Sequence, residues 1–473
     1  MRIVLTTFLF LCINANVFTQ LVKDPYFYHI PPEKFGLQRC FNQCFDDKGI
    51  LWFCGENGIY NYDGFTVKKW LAEKGNKNSP LSKNIGAFYR DKKGVFWIGY
   101  LDQPGITQFN PHNNTFRHYV HDSTNTESIP EALVVRFKED DKGRFWLLMW
   151  DGGLVRMDKK TGKFKQYMRD LANPADTLGI RGNRIKAMLP MGNDKYLLGF
   201  FSGGAPASTP MIFDPVKETF TLLPIKEALN KIQDPEERYK TYEALRIVHE
   251  IIRDRNGNIW FGTYTCALFY DVKNNTLKRV TAARDQNASK NFDNARAFIE
   301  DPSGNLWVST ISSGIMVIDP DTREACYIQQ DENRESGLQD NRVGSFSRDV
   351  NGNIWFSSGM GGFSVYVPVM QKFPIHAWKH MNLEFSNRSA QAIPVHHICY
   401  NHTDTLLISS QNGISYYKVS SGQWLKTLEP NVISRSLWDN RQTQYIGNFF
   451  ERGNYLYMTT ANRFTVVDKK TGK

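Results

Sequence analysis

Short apolar runs alternate with polar turns along this chain, and residues 248 to 280 show the pattern most fully. An apolar run from Val248 to Ile252 leads into the turn Asp254-Arg-Asn-Gly257. A second run (Asn258 to Thr263), a third (Ala267 to Val272), the turn Lys273-Asn-Asn275 and a fourth run (Thr276 to Val280) follow. Runs this short, bounded by Asp, Asn and Gly, predict four strands joined by hairpin turns into one antiparallel meander. The second run is nearly continuous in apolar residues, as in Leu51-Trp-Phe53, Phe96-Trp-Ile98, Ile259-Trp-Phe261 and Ile354-Trp-Phe356. A strand covered on both faces needs apolar side chains on both, so each meander is expected between two neighbours.

The meander repeats. An Asp is followed three residues later by Gly and six residues later by Trp: Asp46, Gly49 and Trp52; Asp91, Gly94 and Trp97; Asp140, Gly143 and Trp146; Asp254, Gly257 and Trp260; Asp301, Gly304 and Trp307; Asp349, Gly352 and Trp355. Adjacent Trp residues lie 45, 49, 47 and 48 apart, and the gap of 114 from Trp146 to Trp260 holds two periods and an insertion. That period marks propeller blades. The Asp carboxylate can accept backbone N–H groups and pre-form the bend, while Gly supplies the positive φ of a bulged hairpin. The Trp row is expected to pack between blades, each indole N–H needing an acceptor; a sugar-stacking ladder is the other use of such a row.

Weaker copies complete the register: Leu197-Leu-Gly199 stands in a fourth blade, Leu407-Ile-Ser-Ser410 in an eighth and Tyr457-Met-Thr-Thr460 in a ninth. The expected fold is all-β, a seven-bladed β-propeller of four-stranded antiparallel blades over 21–369, followed by the start of a second, incomplete propeller over 370–473. Lys372 to Trp378 reads as a fresh outer strand. Tyr26 to Ile30 reads as a fourth strand without a blade of its own, expected to pair with the seventh blade and remove an open edge. At the other end Val467-Asp-Lys-Lys-Thr-Gly-Lys473 matches Met157-Asp-Lys-Lys-Thr-Gly-Lys163 and then stops, so the chain is expected to be a piece of a longer protein. In the insertion from Pro224 to Arg246, Asp234-Pro235-Glu236-Glu237 is a helix start. A helical flap over one face is expected, gating a ligand, docking the second propeller or decorating the surface.

Composition narrows the class. Hydrophobic residues at 41% and aromatics at 14% of 473 residues argue against disorder, and no internal run is long enough to span a membrane. Residues 1–20 read as a cleavable signal peptide, with Arg2, an apolar run from Ile3 to Ile13 and small or polar residues from Ala15 to Gln20; a buried N-terminal helix is the alternative. Export to the periplasm would leave Cys40, Cys44, Cys54, Cys266, Cys326 and Cys399. Their even number invites disulfides, but Cys40 and Cys44 would stand roughly 13 Å apart on one strand, and buried free thiols are expected for most. A net charge of +10 reads as a basic but non-specific surface, because an exported protein rarely meets nucleic acid.

No nucleotide loop, zinc signature, nucleophile elbow or kinase motif is present, so neither cofactor, metal nor catalytic residue is expected. The pair His396-His397 reads as structural. Binding is expected on the face where second-to-third-strand loops and fourth-to-first-strand connections converge on the ring axis. Tyr100, Asp102, Trp150, Asp151, Phe201 and Tyr264 fall in the former. Arg184 and Arg342 occupy matching positions just before a first strand, with Arg296 close by. Arginines could clamp a carboxylate or sulfate and aromatics could stack on a sugar face; equally, these residues could cap strands and fill the ring mouth.

The stretch Phe35-Gly-Leu, Asp46-Asp-Lys-Gly49, Leu51-Trp-Phe53, Gly58-Ile-Tyr60 and Tyr62-Asp-Gly-Phe65 resembles the first blade of the two-component regulator propeller family, and the later Trp-containing blades resemble it too. The likeness covers most of the chain from about Tyr26. Blade four departs from it, with Leu197 where Trp is expected. The resemblance implies the periplasmic sensor region of Bacteroidetes-type hybrid two-component systems. Such proteins typically carry two seven-bladed propellers, a β-sandwich, one transmembrane helix and a cytoplasmic histidine kinase with response-regulator modules. It implies an oligosaccharide ligand derived from a glycan, control of polysaccharide-utilisation genes, inner-membrane anchoring through a missing C-terminal part, and leaves a homodimer open for the intact parent. A secreted lyase or hydrolase and a protein-binding scaffold are the alternatives.

Overall fold

Each repeat begins with one turn that its own Asp builds. In the computed structural model Oδ1 of Asp254 accepts the backbone N–H groups of Asn256 (3.0 Å) and Asn258 (2.9 Å). Gly257 sits at φ +85°, the left-handed conformation that lets the chain reverse. The glycines at the same place in the other five repeats, Gly49, Gly94, Gly143, Gly304 and Gly352, share that conformation, with φ of +76°, +78°, +76°, +89° and +83°. Their role is the turn expected from the spacing. The structure describes residues 25–168, 180, 182–201, 209–281, 294–331, 334, 336–359, 361–368, 371, 395–400, 405–410, 413–418, 423–428, 446–460 and 464–468.

Seven four-stranded antiparallel sheets follow from these turns, each a meander running from the ring axis outward. Their innermost strands are Cys40–Phe45, Ile85–Arg90, Leu133–Glu139, Ile185–Gly192, Val248–Arg253, Ala297–Glu300 and Val343–Arg348. Neighbouring innermost strands touch around the circle, and the seventh lies against the first, so the ring is closed. The seven-bladed propeller expected from the repeat is the observed fold.

Closure uses both ends of the ring. Phe27–Ile30 pairs antiparallel with Phe363–Tyr366, Phe27 opposite Tyr366, and supplies the fourth strand of blade seven. The Gln371 side chain clamps the entry: Oε1 accepts the Tyr26 N–H at 2.8 Å, and Nε2 donates to the Tyr26 and Val367 carbonyls at 2.9 and 3.1 Å. Phe27 then packs edge-on against Phe356, with ring centroids 5.3 Å apart, and against Trp307.

The apolar core lies between the blades. Trp52 packs on Phe96 of blade two, Trp97 on Phe145 of blade three, Trp146 on Tyr196 and Phe213 of blade four, and Trp355 on Phe45 of blade one. Trp260 joins Leu306, Val308 and Met316 of blade six, and Trp307 joins Phe356 and Tyr366 of blade seven. Trp97, Trp146, Trp260 and Trp307 are wholly shielded from solvent. The row is therefore inter-blade packing, and the four wholly shielded rings offer a sugar no open face.

The insertion forms helices Lys226–Asn230 and Pro235–Ala244, the second capped by Asp234, whose carboxylate accepts the Glu236 N–H at 2.9 Å. Both lie against the outer strand Thr276–Val280 of blade five: Glu237 pairs with Arg279 at 3.0 Å, and Lys231 Nζ donates to the Asn274 carbonyl at 2.7 Å. The insertion thus decorates an outer edge and does not cover the axis. Cys40, Cys44, Cys54, Cys266 and Cys326 are free thiols, and burial pushes the Cys40 and Cys44 thiols up to about 12.

A second compact unit begins after residue 374. It contains the four-stranded sheet Val395–Tyr400, Thr405–Ser410, Gly413–Lys418 and Gln423–Leu428, and a three-stranded sheet of Ile446–Arg452, Tyr455–Thr460 and Phe464–Asp468. Leu407, Ile414 and Tyr416 of the first pack with Phe449, Leu456 and Met458 of the second, as adjacent blades do. The eighth and ninth repeats stand where expected, at the start of another propeller. The segment read as a signal peptide and the outer strand expected from Lys372 to Trp378 lie outside the described residues.

Candidate functional site

The site grows from a defect shared by the innermost strands. Each of blades two to five and seven carries a β-bulge close to the start of this strand, between Ile85 and Ala87, Val134 and Arg136, Ile185 and Ala187, Val248 and Glu250, and Val343 and Phe346. A bulge re-aims side chains. By pairing register with the second strands, the equivalent positions in blades two to seven are Gly86, Val135, Lys186, His249, Arg296 and Gly344. Blades four, five and six thus present Lys186, His249 and Arg296 in succession.

Two aromatic rings stand beside them. Trp150 ends the second strand of blade three and Phe201 follows that of blade four, their centroids 4.9 Å apart. The Lys186 ammonium lies 5.1 Å from the Phe201 ring centre and 5.6 Å from that of Trp150. Arg184 covers Trp150 at 4.9 Å and makes two hydrogen bonds to Asp151, at 2.7 and 3.0 Å. The His249 ring is 6.2 Å from Phe201. One step along the same strands, Arg136 of blade three forms an ion pair with Glu250 of blade five, bridging past blade four, where the equivalent residue is the small Ala187.

Positive charge dominates this region. Arg136 and Lys138 act on the carboxylate of Glu250, Arg296 and Arg136 act on Lys186, and Arg184 and Asp151 neutralise each other. Burial, with the Arg296 and Arg136 guanidinium groups behind it, lowers Lys186 to about 8. Burial and then Lys186, Arg296 and Arg136 lower His249 to about 3, so its imidazole is neutral at pH 7. Burial also lowers Lys138 and Arg296. His249 is only 6% exposed, and its Nε2 has no hydrogen-bond partner.

Of the residues singled out from sequence, Trp150, Asp151, Arg184 and Phe201 are in contact, and Arg296 acts on Lys186 and His249 electrostatically. Tyr264 lies beside Arg296, on whose charge it acts, and its carbonyl accepts the Asn294 N–H at 3.0 Å. The other three stand elsewhere. Tyr100, expected in a loop, is fully buried in blade two, its hydroxyl bonded to Thr107 at 2.6 Å and to the Leu81 N–H at 2.9 Å. Its position is corrected by packing: the last residue of that strand points into the blade. Asp102 accepts from Ser82 and Asn84 at 2.7 and 2.8 Å, and Arg342 is paired with Asp340 at 2.8 Å, each tying down its own connection.

Sequence reasoning missed Lys186, His249, Arg136, Lys138 and Glu250. The signal was there as polar residues interrupting apolar innermost strands, in Ile185-Lys-Ala187 and Val248-His-Glu-Ile251. Among the described residues no group of three His, Cys, Asp or Glu could hold a metal ion, and no helix is long and apolar enough to cross a membrane.

Residues 244–265, which include the first and second strands of blade five, match the family described as Two component regulator propeller. No curated protein sequence matches the chain. Among solved structures, the extracellular domain assigned to the hybrid two component system BT3049 of B. thetaiotaomicron superposes with a TM-score of 0.61 at 16% identity, covering 94% of this chain and 59% of its own. That of BT4673 from the same organism gives 0.53 at 16% identity, covering 95% and 59%. PorZ, a surface component of the type-IX secretion system of Porphyromonas gingivalis, gives 0.52 at 14% identity, covering 93% and 60%. This chain therefore spans about three fifths of the length of each.

Proposed function

We propose that this chain, which carries the two component regulator propeller repeat, is the ligand-sensing part of an exported signalling protein. It would bind a glycan-derived oligosaccharide outside the cytoplasm and pass the event to a membrane-linked histidine kinase part that controls polysaccharide-utilisation genes. One observation carries this reading: Trp150, Arg184, Lys186, Phe201 and His249, drawn from three consecutive blades, meet beside the start of the innermost strands of a closed ring. A rigid scaffold presenting aromatic and charged groups at one end of its axis is the usual architecture of a recognition site.

The chemistry favours recognition over catalysis. Glycoside hydrolysis needs two carboxyl groups flanking the scissile bond. Here Glu250 is engaged by Arg136, and Asp151 by Arg184. The test is calorimetry of the exported chain against a panel of neutral and acidic oligosaccharides, with chromatography of the same mixtures. Saturable binding with the ligand recovered unchanged is the expected result. Release of shortened or unsaturated products would replace the sensor with the secreted enzyme.

A further inference from the structure

We propose that the ring mouth is an oxyanion site that seats the carboxylate or sulfate of an acidic sugar between Lys186, Arg296 and His249. This deepens the sensing role above and rests on it for the sugar, although the anion assignment stands on the geometry of the site.

Four facts converge on it. The positions equivalent by register are glycine in blades two and seven and valine in blade three, but Lys186, His249 and, just before an unbulged strand, Arg296 in blades four to six. Nitrogen donors therefore line one side of the ring only, while Leu101 and Ser357 occupy the space beside Gly86 and Gly344. Next, neither Lys186 nor Arg296 has a carboxylate partner among the described residues: Lys186 rests on two aromatic rings, and Arg296 reaches only the Asn294 amide oxygen, at 3.4 Å. Third, the nearby carboxylate, Glu250, is already held by Arg136. Last, His249 Nε2 is a buried polar atom without a partner.

Lys186, half-buried beside the exposed Arg296, is repelled by it and lacks part of the hydration that an exposed lysine has. Burial first, and then this field, keep the His249 imidazole neutral. An oxyanion reverses it. Its oxygens would accept charge-assisted hydrogen bonds from the Lys186 ammonium and the Arg296 guanidinium, and a ligand group would complete His249 Nε2. The Trp150 and Phe201 faces already support Lys186, so they fix the donor in place. With Arg184 neutralised by Asp151, the charge excess is left on Lys186 and Arg296.

The test uses the full chain with glucuronate, glucose 6-sulfate, glucose and inorganic sulfate as probes, read by calorimetry and by the thermal unfolding midpoint. One or both acidic sugars should bind and glucose should not; the two acidic arms separate carboxylate from sulfate. Lys186→Met and Arg296→Gln should each weaken that binding roughly tenfold or more, the scale of one lost charge-assisted hydrogen bond. Without ligand, Lys186→Met should keep or raise the unfolding midpoint, since it relieves repulsion, and this separates a lost site from a lost fold. Binding of glucose as tight as that of glucuronate, unchanged affinity in both variants, or no binding of either acidic sugar would overturn the proposal. Inorganic sulfate binding as tightly as glucose 6-sulfate would overturn its sugar part. Binding of only neutral oligosaccharides would refute the oxyanion site and leave the sensing role standing, whereas chemical conversion of a bound acidic sugar would refute the sensing role alone.

Discussion

Oδ2 of Asp254 accepts the indole Nε1–H of Trp260 at 2.8 Å while Oδ1 of the same carboxylate closes the turn between them. The same bond recurs at 3.0 Å for Asp46 and Trp52, Asp91 and Trp97, and Asp349 and Trp355, and at 3.1 Å for Asp301 and Trp307. In blade three it stretches to 3.5 Å, because Arg144 and the Tyr196 hydroxyl share Oδ2 of Asp140. One carboxylate therefore shapes the first hairpin and fixes the ring that packs against the next blade. The six-residue interval between Asp and Trp is a contact, and each turn is coupled to an inter-blade core.

That coupling is measurable. A double-mutant cycle on Asp254→Asn and Trp260→Phe should give an interaction energy of about 1 to 2 kcal/mol from denaturant unfolding, the scale of a buried hydrogen bond to a charged acceptor. Additive effects of the two substitutions would show that the indole N–H and the turn are independent.

Ring closure should depend on Phe27. Its replacement by Ala removes a ring packed on Phe356, Trp307 and Tyr366 and should cost about 3 to 5 kcal/mol, the range for buried Phe→Ala. Limited proteolysis should then cut first within blade seven, between residues 336 and 368, where the latch has loosened. Cleavage starting in blades three or four instead would place the weak point elsewhere.

Acid should destabilise the first propeller through His249. Its folded pKa of about 3 lies below the ordinary 6.5, so between these values the unfolded chain binds a proton that the folded chain refuses. The stability contributed by a neutral His249 is complete above pH 6.5 and is lost as the pH falls toward 3. His249→Gln should therefore narrow the difference between unfolding midpoints at pH 7.5 and pH 4.5 relative to the parent. Asp91 and Asp140 act in the same direction at lower pH. Burial opposes their ionisation, but hydrogen bonds from Trp97 and Lys159 to one, and from Tyr196 and Arg144 to the other, hold both carboxyls below the usual range. An equal pH response in the His249 variant would show that His249 does not carry the loss between pH 7.5 and 4.5.

A chain ending just after Gln371, which keeps the latch at Tyr26, should be more soluble than the full 473 residues. The sheet of the ninth repeat has three strands among the described residues, and its last, Phe464–Asp468, presents Phe464 at 64% exposure. An unpaired, partly apolar strand edge invites association. Light scattering of the two chains at matched concentration tests this, and equal or poorer behaviour of the shorter one would contradict it.

Much of the fold was legible because its determinants are local. The Asp-to-Gly interval is covalent geometry plus turn chemistry, so the hairpins could be placed to within a residue or two, as in blade five. The absence of Trp from blade four did not hide it either, since Leu197 holds that place and packs against Ile251 and Phe261 of blade five. The latch was readable from an orphan strand that needed an edge. Tyr100 was misplaced because a strand's terminal residue can point into the blade or out of it, and only packing chooses.

By itself, then, the sequence determined the period, the turns, the count of blades and the partner of the first strand, since each follows from residues a few positions apart or from an unpaired edge. Only the tertiary structure decided that Lys186, His249 and Arg296, 63 and 47 residues apart in succession, occupy equivalent positions at one mouth of the ring. Nothing local distinguishes such a lysine from those in the exposed turns. Its meaning comes from burial among other cations, a property of the closed ring that no short stretch of chain contains.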